Sequence, residues 1–429
     1  MKKRSEKVSK EKGSSGFEEE ITKIGDDYQC SGILELDFPE LCALAGVSEI
    51  PTVKLRQPTI SSGSPVTTWC REPYLQIEKE NGDSRTVKKV RVSGWMVDEV
   101  MARVLSKILP SLSNLQSLEM WRARLTDRTL TSLKNTITLC SNLRTVILDG
   151  NPIPGQAYYI LLGEDSLVTH LSLRNNRIEE EGARLIGSAL STVHSTNRNL
   201  LSLNMAFNSI GDAGAIHIAQ GLRLNRSLLC LSLANNHVGD SGAAHLAEVL
   251  GPFALTHEEI VERRRQLIMR DQLVDAPKRD EKPAAGQTGA TAAKKEEHKM
   301  TKKGNKALSL CLGKSEEVVE TLSPLLDPDV RHVEGKVIHP GNTALISLNL
   351  SGNKLTKQSL HMFLSLVGGQ GEGGLLRLSL NRNNFPLDCE AFLNIQAMMS
   401  LKAPLIKAGS GQVDDEEGQA AYTYSSPVY

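Results

Sequence analysis

The sequence predicts an α/β solenoid: a curved horseshoe with a parallel sheet on the concave side and helices on the convex side. Three observations predict it. Short apolar segments recur along the chain at a nearly constant step. The clearer copies carry an asparagine three residues after their last apolar strand position. Each is followed by a stretch opened by glycine and alanine with apolar residues at helical spacing.

Five segments align without gaps. They are Val168…Leu171…Leu173…Asn176…Ile178, Leu200…Leu203…Met205…Asn208…Ile210, Leu228…Leu231…Leu233…Asn236…Val238, Leu345…Leu348…Leu350…Asn353…Leu355 and Leu375…Leu378…Leu380…Asn383…Phe385. Weaker copies begin at Val87, Leu115 and Leu143. The steps between successive starts are 28, 28, 25, 32, 28, 117 and 30 residues. A fixed period of this size is the signature of a stack of supersecondary units, none of which can bury its apolar face alone.

The alternation of Leu171, Ser172 and Leu173 is that of a strand, one face in the core and the other on the concave surface. The asparagines Asn151, Asn176, Asn208, Asn236, Asn353 and Asn383 then fall where the chain turns out of each strand. Their amides are expected to form a ladder, because a tight buried turn cannot leave peptide groups unpaired. After the turn, Gly211-Asp-Ala-Gly214 leads into Ala215, Ile218, Ala219 and Leu222, the spacing of a helix face. Gly182-Ala183 and Gly242-Ala243 open equivalent stretches.

These units resemble the ribonuclease-inhibitor-like subclass of leucine-rich repeats, over residues 87–250 and 342–385. The resemblance implies a strand–helix unit of about 28 residues and a strongly curved stack.

The remaining segments divide the chain. Residues 1–29 are rich in Lys, Glu, Ser and Gly and read as a disordered N-terminus; 30–86 form a flanking or cap region. The latter holds an amphipathic stretch from Ile33 to Leu44. It also holds a hairpin pattern from Tyr74 through Asn81-Gly82 to Val87. Residues 87–250 are the first repeat block and 342–400 the second. Between them, 251–341 are an insertion: an amphipathic helix from Thr256 to Val274, opened by a Thr256-x-x-Glu259 capping box, then a basic disordered loop. From Ala276 to Lys306 nine basic residues face four acidic ones. Apolar character returns from Leu308 to Leu326, a segment expected to dock back on the repeats. Residues 401–429 read as a disordered tail. The units at 87 and 115 have Trp95 and Ala123 in place of the asparagine, as terminal repeats that cap an open core commonly do.

Composition restricts function. Lys plus Arg equals Asp plus Glu, 50 each in 429 residues, which gives no global charge to hold nucleic acid or a membrane surface. The basic loop is the local exception, open to an acidic surface or to a plain solvated linker. It lacks aromatic residues to stack on bases, so nucleic acid is disfavoured. No apolar run is long enough to span a membrane, and the charged start does not read as a secretory signal. Seven scattered cysteines without a Cys-x-x-Cys pair suggest reduced thiols in a cytoplasmic, intracellular protein, so the sequons at Asn225 and Asn349 read as chance matches.

No catalytic or metal constellation emerges, and no cofactor is expected. Gly369, Gly371 and Gly374 match a dinucleotide-binding string but precede a strand, where that motif must follow one. Gly313-Lys314-Ser315 resembles the end of a phosphate loop, but Leu308 stands where its first glycine is required. His217 and His245 hold equivalent helix positions, which repetition explains.

Strand alternation predicts the concave surface. Large and charged groups gather on the early repeats: Arg91, Glu119, Trp121, Arg122, Asp149 and Arg174. Trp and Arg are favoured anchors of protein interfaces. These six are the candidate docking residues for a protein partner; the alternative for Trp121 is that it covers an imperfect capping repeat. The reading is therefore a non-enzymatic scaffold or adaptor. Some proteins of this repeat subclass activate GTPases, so regulation of a small GTPase is the alternative by fold analogy. Several similar intracellular repeat proteins serve motile cilia, and from that resemblance alone a place in the ciliary axoneme is an expectation.

Overall fold

The computed structural model describes residues 28–56, 73–80, 85–191, 197–274, 323–371 and 373–402. The chain divides into two compact units, Met1–Phe253 with Pro340–Met399, and Ala254–His339 with Ser400–Tyr429.

The first unit is the solenoid. Its sheet runs in the order β1 (Thr52–Leu55), β2 (Tyr74–Lys79), β3 (Val87–Ser93), β4 (Ser117–Trp121), β5 (Thr145–Ile147), β6 (His170–Ser172), β7 (Ser202–Asn204), β8 (Cys230–Ser232), β12 (Ser347–Asn349) and β13 (Arg377–Ser379). From β3 onward every neighbouring pair is parallel. The register joins the repeats position for position: Leu118, Val146, Leu171, Leu203, Leu231, Leu348 and Leu378 form one row. Leu231 lies directly beside Leu348, so the stack passes from β8 to β12 as though the intervening residues were absent.

Helices cover the other side: α1 (Leu34–Leu44), α2 (Glu99–Ile108), α3 (Asp127–Leu139), α4 (Glu180–Leu190), α5 (Gly211–Leu222) and α6 (Asp240–Leu250). The repeat beginning at Leu143 departs from this plan. It returns through a 3₁₀ segment, Ala157–Leu162, anchored by the buried Tyr158, whose hydroxyl donates to Asn151 O at 2.6 Å. Its step is the shortest, 25 residues, and Pro152 and Pro154 occupy the approach to the helix position.

Strands stack about 4.8 Å apart while packed helices need 8–10 Å. The sheet therefore takes the inner side of the stack. Between α4 and α5 the helices close unusually far. A Cβ on Gly221 would lie 2.2 Å from Gly187 O, and one on Gly187 would lie 2.3 Å from His217 O. Only glycine admits that approach.

Asparagines tie successive turns together. Asn208 Oδ1 accepts from Asn176 N and Ile178 N at 2.8 and 3.0 Å, and its Nδ2 donates to Leu173 O and Met205 O. Asn353 repeats the pattern on Asn236 N and Val238 N, across the insertion. Asn151 accepts from Ala123 N, Asn176 from Asn151 N, and Asn383 from Leu355 N. Asn236 Nδ2 donates to Met205 O and Ala234 O.

A second row of asparagines, not picked out from the sequence, serves the opposite turn, three residues before each strand's first leucine. Asn225 Oδ1 accepts from Ser227 N and Leu228 N while its Nδ2 reaches Leu190 O. Asn197 and Asn342 make the corresponding bonds. Asn225 is thus a buried structural amide, and its side chain is not presented to a glycosyl transferase.

At the N-terminal end, α1 buries Leu34, Phe38, Leu41 and Cys42. Buried Asp37 gathers Ser31 N, Gly32 N and the hydroxyls of Ser31 and Tyr28. β2 and β3 are antiparallel, the pairing that the hairpin pattern predicts, although Asn81-Gly82 lie outside the described residues. β1, which the proline-rich sequence gave no sign of, adds a parallel strand beyond β2. The second repeat block continues through α8 (Lys357–Gly369) to α9 (Glu390–Lys402).

The chain leaves the stack at β9 (Phe253–Ala254). In the second unit α7 (His257–Val274) begins with the expected capping box: Thr256 N donates to Glu259 Oε2 at 2.7 Å and Glu259 N to Thr256 Oγ1 at 3.2 Å. A 3₁₀ turn (Pro324–Leu326) holds buried Leu325, whose carbonyl accepts from Arg263. The hairpin of β10 (Arg331–Val333) and β11 (Lys336–His339) turns through Glu334 and Gly335, both at positive φ, as a type I′ turn requires. Of the segments expected to be disordered (1–29, 277–306 and 401–429) and the apolar run 308–326, residues 1–27, 277–306, 308–322 and 403–429 lie outside the described residues, while Leu401 and Lys402 close α9 instead of opening a disordered tail. No helix among the described residues is long and apolar enough to cross a membrane.

Candidate functional site

The open face of the sheet is set by the same alternation that builds the core. With Val90, Leu118, Val146 and Leu171 turned inward, their neighbours Arg91, Glu119, Ile147 and Ser172 stand in one register row on the other side. The row continues through Asn204, Ser232, Asn349 and Ser379. The early part is charged and aromatic, the later part small and polar.

Glu119 organises the charged part. Arg91 Nε donates to its Oε2 at 2.5 Å, and Lys89 Nζ lies 3.0 Å from its Oε1. The carboxylate is buried under these two cations, so Glu119 holds them in place and is not itself presented. The Arg91 guanidinium lies 5.9 Å from the centre of the Trp121 ring, within range of a cation–π contact. Trp121 is 44 % exposed, on the strand end, and pairs in register with Ser93.

A second group forms one repeat further along. Asp149 Oδ1 accepts from Ser172 Oγ at 2.7 Å and from Arg174 N at 3.0 Å. Burial pushes its carboxyl above the usual aspartate range, against those two hydrogen bonds. The Arg174 guanidinium lies 4.3 Å from the centre of the Phe207 ring, which is itself 44 % exposed. Phe207 has φ of 60°, a left-handed conformation unusual for an aromatic residue. Its position after Ala206, one past the alternating strand positions, hid it from a strand-based reading. Lys89 stands one outward position before Arg91 and was not among the predicted residues; the alternation Lys89, Arg91, Ser93 contains the signal.

Of the six sequence-predicted residues, the structure brings Arg91, Glu119 and Trp121 together on β3 and β4, and Asp149 with Arg174 two residues past the ends of β5 and β6. Arg122 stands apart on the turn after β4, at φ of 50°, its Cγ against Gly150. Among the described residues no cluster of three His, Cys, Asp or Glu side chains could hold a metal ion. Cys30, Cys42, Cys140, Cys230 and Cys389 are unbridged; Cys70 and Cys311 lie outside the described residues.

An α/β solenoid with asparagine-tied turns and two inward rows of mostly leucine side chains has the leucine-rich-repeat fold. A leucine-rich-repeat family model matches residues 165–187, 196–219 and 224–247. Among solved structures, the chain is similar to actin-binding site 2 of leiomodin-1, at 16 % identity and a TM-score of 0.23, over 40 % of this chain and 94 % of that one. It is also similar to an internalin from Listeria monocytogenes, at 13 % identity and a TM-score of 0.18, over 72 % of this chain and 84 % of that one.

Proposed function

We propose that the protein is a non-enzymatic scaffold or adaptor that docks a protein partner on the open sheet face of its early repeats. One observation carries the reading. Trp121 and Phe207 are large aromatic rings left exposed on a face braced by a continuous parallel sheet, each with a guanidinium beside it. Exposed, pre-positioned Trp and Arg side chains are the groups that dominate interface energetics. Arg91, Trp121, Asp149 and Arg174 form the contact set, with Glu119 beneath and Arg122 on the adjoining turn. A rigid sheet loses little conformational entropy on binding, so such a surface is preorganised.

The test is affinity purification from ciliated and non-ciliated cells, with wild type and a Trp121→Ala/Phe207→Ala variant of matched thermal stability. Partners lost with the variant support docking on this face; partners retained at wild-type levels sink it. Truncating a half-exposed surface ring should cost only about 0.5 kcal/mol of stability. A loss of several kcal/mol from Trp121→Ala alone would assign it to covering the capping repeat. The axonemal expectation rests on resemblance, and enrichment of ciliary partners in the same purification tests it.

A further inference from the structure

We propose that the docking face recognises an acidic segment of its protein partner, through carboxylates that pair with Arg174 and with the Lys89–Glu119–Arg91 cluster. The inference rests on the docking reading above and adds the chemistry of what docks.

The charge count on the face is asymmetric. Lys89 and Arg91 share one carboxylate, Glu119, which leaves that cluster with one surplus positive charge. Arg174 makes no ion pair among the described residues. Asp149 accepts from the Ser172 hydroxyl and the backbone N–H of Arg174; the Arg174 charge favours its ionised form, but no hydrogen bond joins it to the guanidinium.

The geometry of Arg174 adds to this. Phe207 covers the guanidinium at 4.3 Å from the ring centre. A guanidinium stacked on a ring keeps its in-plane N–H donors available, and their fork matches a carboxylate in two-point fashion. A stacked arginine also has less side-chain freedom left to lose on binding. Arg91 repeats the device beside Trp121, with its Nε committed to Glu119. Between the two arginines the face carries Trp121, Ile147 and Asp149, which separate the two cationic points that an acidic segment would span.

The experiment measures binding of fluorescein-labelled octaglutamate to the full chain by anisotropy at about 50 mM salt, a concentration at which surface charges are weakly screened. Octaglutamate should bind, weaken as salt rises, and lose about tenfold or more in affinity with Arg174→Glu/Lys89→Glu. Lys354→Glu/Lys357→Glu, a charge reversal of the same size on a distant repeat, should leave it unchanged. Thermal unfolding of each variant establishes that the fold is intact. Absence of binding, equal loss in the distant variant, or tighter binding of octalysine would overturn the proposal. So would a phosphoserine peptide that binds about tenfold tighter than octaglutamate, since the face would then be a phosphate reader. If octaglutamate fails while Trp121→Ala/Phe207→Ala still loses native partners, the acidic specificity falls and the docking face stands. If octaglutamate binds as described while native partners ignore that variant, the docking reading falls instead.

Discussion

Arg91 and Glu119 face each other across β3 and β4, and the arginine Nε donates to the carboxylate at 2.5 Å over a side chain only 3 % exposed. Two cations therefore rest on one buried negative charge. Removing it leaves Lys89 and Arg91 in mutual repulsion above an emptied site. Glu119→Ala is expected to lower stability by about 2 kcal/mol. Combination with Arg91→Ala should recover part of that loss, as read by urea unfolding of both single variants and the double. Additive losses would show that the pair is not coupled.

Gly221→Ala inverts a general rule. In an exposed helix interior the change stabilises by about 1 kcal/mol. Here the added methyl would meet Gly187 O at 2.2 Å, a backbone atom that cannot move aside without displacing α4. We expect a loss of about 2 kcal/mol, the cost of overpacking. A thermal midpoint equal to or above wild type would refute the close helix approach.

The amide ladder makes Asn208 hard to replace. Asn208→Ala strips the acceptor from Asn176 N and Ile178 N and the donor from Leu173 O and Met205 O, all in a buried turn. The expected cost is about 3 kcal/mol, because groups left unpaired in the interior carry their full desolvation penalty. Denaturant unfolding checks it, and a cost under about 1 kcal/mol would mean that water takes over those bonds.

Residues 254–339 should be removable from the stack. Asn342 N donates to Val249 O at 2.8 Å, and β12 pairs directly with β8, so the chain returns to the place it left. Replacing 254–339 by a short Gly/Ser linker is expected to preserve the far-UV circular dichroism per repeat and a single unfolding transition. Loss of amide protection in the repeats after Asn342 would show that they depend on the excised unit.

Two aspartates should give opposite pH responses. Burial opposes ionisation of Asp240, but hydrogen bonds from Ser359 and Thr356 outweigh it and lower its carboxyl below the usual range. Its contribution is full above an unfolded value of about 3.9 and is lost as pH falls through the folded one. The stability gap between wild type and Asp240→Asn should therefore shrink on acidification. Asp149 is raised by burial, so ionising it costs stability as pH climbs from the unfolded toward the folded value. Asp149→Asn, which keeps an acceptor for Ser172, should gain on wild type over that same rise. Urea midpoints of the three proteins across the acid range decide both, and parallel curves would refute the assignments.

The sequence by itself determined the repeat, and with it the fold. Alternating leucines state which side of each strand is buried, and an asparagine at a fixed offset states where the chain turns. Both are local signals, and stacking multiplies them, so position-for-position register between Leu171, Leu203 and Leu231 follows from periodicity alone. The capping box at Thr256 was legible for the same reason, since its partners lie three residues apart. The tertiary structure alone decided what depends on distance between repeats. Glu119 and Arg91 are 28 residues apart in sequence and only their meeting buries the carboxylate. Arg174 acquires Phe207 from the next repeat: Phe207 holds the left-handed position that precedes each ladder asparagine, as Asn175 and Asn235 do in the neighbouring repeats, but only the folded stack sets its ring against that guanidinium. The bypass of the insertion, with β12 against β8, is likewise a fact of three dimensions: a sequence gives the length of a detour, but hydrogen bonds between its ends show that the stack closes over it.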